Sequence, residues 1–154
     1  MQFDEVDLAL LRLMQQEPRA GSREYARVLG IARGTVQSRI TRLERAGVLA
    51  SYAPQLSTGA LGFSVQAFVH LHLAQGRLDD VSARLAEIPE LLEAHSMTGE
   101  ADMLCRVAAR NNQHLELIVQ QILALPGVVR TKTEIAMRTR VPYRVLPLLQ
   151  QLKH

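Results

Sequence analysis

An α+β fold in two parts is predicted for this chain of 154 residues, on three observations. Apolar residues recur at helical spacing as far as Gly47 and then, from Phe63, at every second position. Between the two regimes, Pro54 to Gly62 combines Pro, Ser, Thr and two Gly, the composition of a linker or hinge. Finally, Ile88-Pro89-Glu90-Leu91 and Leu125-Pro126-Gly127-Val128 both read as a helix end, a Pro and a new strand, so the second part is one strand–helix–strand unit used twice. The expected divisions are residues 1–53, a linker at 54–62, and residues 63–154.

In the first part, Asp4 is a good helix cap, with Glu5 and Asp7 in the positive first turn. Val6, Leu10, Leu13 and Met14 then form one helical face, ended by Pro18 and Gly21. Ser22 is read as the next cap, before a short helix over Arg23 to Leu29 that turns Tyr25, Ala26 and Leu29 inward. Gly30 suits a left-handed turn residue. A third helix, Arg33 to Arg45, has the apolar stripe Val36, Ile40, Leu43 and an opposite face of Ser38, Thr41, Arg42 and Arg45, flanked by Thr35 and Arg39. Gly47 closes it, and Val48 to Ala53 read as a short strand.

Helix, Gly turn and a polar, Arg-bearing third helix make a helix-turn-helix pattern. A helix entering the major groove needs an apolar back to hold it and a front of small polar and Arg side chains for bases and phosphates. Arg33, Thr35, Gln37, Ser38, Arg39 and Arg42 are the candidate contacts to double-stranded DNA. Charge supports this. Of 18 Lys and Arg residues only Lys132 and Lys153 are lysines, and Arg33, Arg39, Arg42 and Arg45 crowd a stretch with a single acid, Glu44. Arg makes planar, bidentate contacts to phosphate and guanine.

In the second part, Phe63 to Leu73 alternates, with Phe63, Val65, Ala67, Val69, Leu71 and Leu73 on one side and Ser64, Gln66, Phe68, His70 and His72 on the other. A helix over Leu78 to Ile88, a strand over Leu91 to Thr98, the loop Gly99-Glu100-Ala101-Asp102 and a strand over Met103 to Ala109 follow. Asn111 or Asn112 caps a helix with Leu115, Ile118, Val119 and Ile122 inward, and the last strand runs from Val128 to about Val141. The order β-α-β-β-α-β is the ferredoxin-like arrangement, a four-stranded sheet with helices on one face. Its bare face predicts self-association.

Other chemistry finds less support. Apolar residues at 47% exclude disorder, and 4% aromatics without Trp argue against a stacking platform for single strands. The lone Cys105 excludes a disulfide framework and a Cys-rich zinc module. MQFDEVD is acidic where a secretory signal is basic, and no apolar run reaches membrane length, so a soluble cytoplasmic protein is expected. His70 and His72 could pair on a metal, with His95 or Cys105 as a third ligand, making an oligomeric enzyme or metal sensor the alternative; a polar sheet surface explains them better, since no further ligand stands at a fixing distance. Glu100 and Asp102 lack a nucleophile or oxyanion hole beside them, so no catalytic residue, metal or cofactor is expected.

Asp7 to Leu13 (DLALLRL), Gly34-Thr35-Val36, Arg39-Ile40-Thr41-Arg42-Leu43-Glu44 running into Gly47-Val48, Thr98-Gly99-Glu100-Ala101-Asp102 and Leu125-Pro126-Gly127-Val128 stand in an order that resembles the Lrp/AsnC (feast/famine) family of prokaryotic transcription regulators. The resemblance runs from about Phe3 to Arg140. It implies a winged helix-turn-helix followed by a RAM/ACT-like domain, in a homodimer that assembles into octamers and acts on nucleoid DNA. It also implies a small-molecule effector, an amino acid, held at a junction between dimers by Thr98, Gly99, Glu100, Ala101 and Asp102 beside Thr133 and Ile135. Here Glu100 and Ala101 stand where Asp and an aromatic residue are common, and Ala32 cannot cap the third helix as Ser, Thr or Asp would.

Overall fold

Helix α1 (Glu5–Gln16) begins at a reciprocal cap: the Asp4 carboxylate accepts the Asp7 N–H at 2.8 Å, and the Asp7 carboxylate accepts the Asp4 N–H at 3.2 Å. The computed structural model describes residues 2–152. Its chain divides into two compact units, one running to Pro54 and rejoined by the segment from Val141 onward, the other covering residues 55–140.

The first unit is built from α1, α2 (Ser22–Leu29), α3 (Arg33–Arg45) and a last turn, α6 (Leu146–Leu149). Its core is Leu10, Leu11, Tyr25, Ala26, Val36, Ile40, Leu43 and Leu149. The face of α1 that turns inward is Asp7, Leu8, Leu10 and Leu11, with Leu13 and Met14 only packed against it. The expected face, Val6 to Met14, is therefore rotated toward a fully buried carboxylate that apolar periodicity cannot reveal. Gly21, not Ser22, caps α2; the Ser22 hydroxyl donates instead to Gln37 Oε1 at 3.0 Å. Gly30 takes the left-handed conformation at φ 66°, as expected.

Helix α3 closes on Gly47 at φ 69°, with the Val48 N–H reaching the Leu43 carbonyl and the Gly47 N–H reaching that of Glu44. The strand expected over residues 48–53 does not form. A strand needs a neighbour to complete its ladder, and the described residues of this unit offer none. The assignment of residues 141–154 to the second part is also corrected, as far as the described residues go. Leu149 is buried in the helical core and its carbonyl accepts from Arg12 Nη2 at 3.0 Å.

The second unit comprises β1 (Val65–Leu73), α4 (Leu78–Leu85), β2 (Leu91–Ser96), β3 (Met103–Ala109), α5 (Asn112–Leu123) and β4 (Val128–Ala136). The sheet order is β2-β3-β1-β4, antiparallel throughout, the ferredoxin-like arrangement. Ala67, Val69 and Leu71 of β1 and Met103, Cys105, Val107 and Ala109 of β3 meet Val81 and Leu85 of α4 and Leu115, Ile118 and Ile122 of α5. Asn111 caps α5 by accepting the His114 N–H at 2.8 Å. Strand β4 stops at Ala136, short of Val141, because its partner does: Gln66 against Ala136 is the last rung beside the start of β1. Between α5 and β4, Gly127 sits at φ 104°, and a Cβ there would lie 2.8 Å from Arg77 Cβ. Gly127→Ala is expected to cost about 1–3 kcal/mol in thermal unfolding, more than Gly30→Ala, where nothing lies within 4 Å.

Candidate nucleic-acid interface and effector cleft

Three buried residues, Val36, Ile40 and Leu43, hold α3 on its unit and decide which residues look outward. Gly34, Gln37, Ser38, Thr41, Arg42 and Arg45 line an open hollow along the free side, with Arg33 and Thr35 exposed at the first turn. No side chain caps Ala32, and α3 has no acid in its first turn, so nothing negative competes with a phosphate there. Five of the six expected DNA contacts, Arg33, Thr35, Gln37, Ser38 and Arg42, are exposed in this region. Thr41 and Arg45 join them in the hollow, legible from the sequence as members of the same polar face.

Arg39 does not join them. Its Nη1 donates to Asp4 Oδ1 and Oδ2 at 2.8 and 2.7 Å and to Asp7 Oδ1 at 2.7 Å. Arg42 Nη2 donates to the other Asp7 oxygen. The Asp7 side chain is fully enclosed, that of Arg39 is 23% exposed and that of Arg42 48%. Burial raises the Asp7 carboxyl, but hydrogen bonds from Arg42 and Arg39 outweigh it and leave the group below its ordinary value of 3.8. The Arg39 hydrogen bond likewise lowers Asp4 from 3.8. Carboxyls lowered in the folded state stabilise it fully above their unfolded value and release that stability as pH falls through the folded one. Stability of the helical unit is therefore expected to decline below about pH 4, and Asp4→Asn with Asp7→Asn to flatten that decline in acid titrations followed by circular dichroism.

On the second unit, a cleft of about 530 Å³ opens between the β2–β3 turn and the bare face of the sheet, within the size range of small-molecule sites. Met97, Thr98, Glu100 and Ala101 form one wall, and His70, His72, Arg130, Thr131 and Lys132 the other. Arg130 Nη2 stands 3.4 Å from Glu100 Oε1 and 3.0 Å from His72 Nε2. Thr98, Glu100 and Ala101 of the expected loop thus line this cleft.

Gly99 and Asp102 belong to the turn's framework. Gly99 supplies φ 125°. The Asp102 carboxylate accepts the Leu73 N–H at 2.7 Å, while its backbone bridges Leu71 and Met97. Thr133 and Ile135 do not reach this cleft. Paired with Val69 and Ala67, they share the helix-facing side of the sheet, whereas Arg130 and Lys132 share the bare side with His72 and His70. One strand position reverses the face, so the expected Thr133–Ile135 wall is replaced within one chain by Arg130 and Lys132.

The histidines have partners of their own. His70 Nε2 lies 3.2 Å from Glu134, whose carboxyl Lys132 and His70 hold below its usual range. His95 faces Glu93 at 3.9 Å. Cys105 is buried on the helix-facing side, where burial pushes its thiol up to about 11. Among the described residues no three His, Cys, Asp or Glu group as a metal site, and no helix is long and apolar enough to cross a membrane.

Known families match the chain in two stretches. Residues 3–44 match the AsnC-type helix-turn-helix domain, and residues 66–146 match the Lrp/AsnC ligand binding domain. The chain is 30% identical over 146 residues to the HTH-type transcriptional regulator FL11 of Pyrococcus horikoshii, covering 95% of this chain and 97% of that one. It is 30% identical over 138 residues to the HTH-type transcriptional regulator Ptr1 of Methanocaldococcus jannaschii, covering 89% and 93%. Among solved structures it resembles the leucine response regulatory protein LrpA of Mycobacterium tuberculosis, with a TM-score of 0.81 at 31% identity over 94% of this chain and 100% of that one. The fold of NMB0573 from Neisseria meningitidis, solved as a complex with L-Met, is shared at a TM-score of 0.88 and 23% identity over 98% of this chain and 100% of that one. These relatives are regulators and not enzymes, and the enzyme alternative is set aside. The chain belongs to the Lrp/AsnC family of DNA-binding transcriptional regulators.

Proposed function

We propose that this regulator reads its operator with the free side of α3 and adjusts its binding to an amino acid held in the β2–β3 cleft. The observation that carries the effector reading is the charge arrangement of the cleft: Arg130 and Lys132 suit a carboxylate, Glu100 suits an ammonium, and Met97 and Ala101 offer apolar wall. The L-Met complex of the structurally similar Neisseria protein supports this ligand class. On the DNA side, Arg33, Thr35, Gln37, Ser38, Thr41, Arg42 and Arg45 form the reading surface, with Arg residues at phosphates or guanines and the smaller groups at base edges.

Assembly connects the two. The bare sheet face carries Phe68 and Leu104 among charged neighbours, and a second copy of the chain covers it, giving a dimer and, through further contacts at the β2–β3 turns, an octamer. An amino acid that prefers one assembly shifts the population presenting α3 in pairs to a two-fold operator. On this reading the protein acts on DNA in the cytoplasm.

A thermal-shift screen of the twenty amino acids tests the effector. At least one is expected to raise the unfolding temperature, by RT ln(1 + [L]/Kd) in free energy, about 2.7 kcal/mol at a hundredfold excess over Kd. The response should vanish in Glu100→Gln combined with Arg130→Ala. No response from the native chain, or an equal one from the double variant, overturns the cleft assignment.

A further inference from the structure

The two carboxylates that cap α1 also grip α3. Asp4 and Asp7 hold each other's backbone N–H groups, which fixes both along α1. Onto those carboxylates come Arg39, reaching Asp4 and Asp7 together, and Arg42, reaching Asp7 from one turn further along. Residues three apart on a helix share a side, so two guanidiniums on one carboxylate define the rotation of α3 about its own axis. A buried carboxylate is costly unless it is paired and hydrogen-bonded, and geometric specification is the use for which such groups are best attested. The enclosed Asp7 meets that description with both oxygens engaged by guanidinium.

We propose that Asp7, seconded by Asp4, is the positioning group of the DNA-reading helix, and that Arg39 is an internal strut rather than a DNA ligand. Arg42 then has a double role: its side chain lies against Asp7 and still lines the reading hollow. The rotation fixed in this way presents Gln37, Ser38, Thr41 and Arg45 together, so operator preference depends on Asp7 and the cap residue Asp4, neither of which lines the hollow.

The inference rests on the reading of α3 as the operator-contacting helix, and one experiment separates the two. Duplexes selected from a random pool by the full chain serve as operator, with a scrambled duplex as competitor, and both affinities are measured against salt concentration. Arg45→Gln and Ser38→Ala probe the surface; Arg39→Gln, Arg39→Lys and Asp7→Asn probe the strut. Asn at position 7 keeps an oxygen for the Asp4 N–H, which preserves the cap.

Arg45→Gln is expected to reduce the salt slope by about one, as loss of a phosphate contact does. Arg39→Gln should leave the slope unchanged while lowering the operator-to-scrambled ratio about tenfold or more, the size of one misaligned base contact. Asp7→Asn should lower the ratio similarly, and Arg39→Lys should recover part of it. Loss of folded protein alone scales both affinities equally and leaves the ratio where it was. If Arg39→Gln reduces the slope as Arg45→Gln does, or if the ratio survives both Arg39→Gln and Asp7→Asn, the positioning assignment is wrong. If Arg45→Gln and Ser38→Ala change neither affinity, it is the α3 reading that fails.

Discussion

Replacing Asp7 by Ala is expected to destabilise the helical unit by about 3 kcal/mol, among the largest effects of any single change in it. The substitution removes the only acid on the inward face of α1 and leaves Arg39, 23% exposed, without its enclosed partner. Breaking one side of a buried pair costs about 3–5 kcal/mol because the remaining charge is left unpaired. The low end applies here, since Arg42 is half-exposed and Arg39 keeps Asp4. The variant also loses the Asp7 half of the reciprocal cap, while the Asp4 carboxylate still accepts the backbone N–H of residue 7, so the total stays at about 3 kcal/mol. Thermal unfolding followed by circular dichroism checks this. For a unit of this size each 1 kcal/mol moves the midpoint by about 4–8 °C, so a shift under about 5 °C would mean that water replaces the carboxylate at little cost.

Arg42→Ala with Arg45→Ala is expected to weaken operator binding by roughly 2–6 kcal/mol, taking about 1–3 kcal/mol for each base-contacting Arg. If instead both face phosphates, the salt slope falls by about two and all sequences weaken alike. Gel shifts with operator and scrambled duplexes at several salt concentrations distinguish these outcomes. Arg39 still holds Asp7 in this variant, but one of the two guanidiniums on that carboxylate is lost with Arg42, so Arg45→Ala alone is measured beside it to separate lost contacts from a changed pose. An operator affinity equal to that of the native chain would remove α3 from the reading surface.

Much of the architecture was legible in one dimension because it is set by neighbours in sequence. Asp4 and Asn111 cap helices by reaching their own first turns, Gly47 ends α3 through bonds to Leu43 and Glu44, and the alternation of β1 follows from the strand period. The failures lie where a partner distant in the chain decides. Residues 48–53 have strand-forming composition, but a ladder needs a second strand. The segment after Val141 carries Leu146 and Leu149 at a helical spacing that says nothing about which core receives them. Thr133 and Ile135 were placed beside the loop through resemblance, while the register on β1 turns them to the opposite side.

By itself, then, the sequence determined the two-part α+β plan, the helix-turn-helix with its outward polar face, the ferredoxin-like order of strands, and through those the family. These depend on periods, caps and turns spanning a few residues. Only the tertiary structure decided that Arg39 is held by Asp4 and Asp7, that Arg130 and Lys132 stand across the cleft from Glu100, and that α6 returns to the helical unit. Charges separated by more than thirty positions leave no periodic trace, and an Arg on a polar helix face looks the same in sequence whether it meets a phosphate or a buried carboxylate.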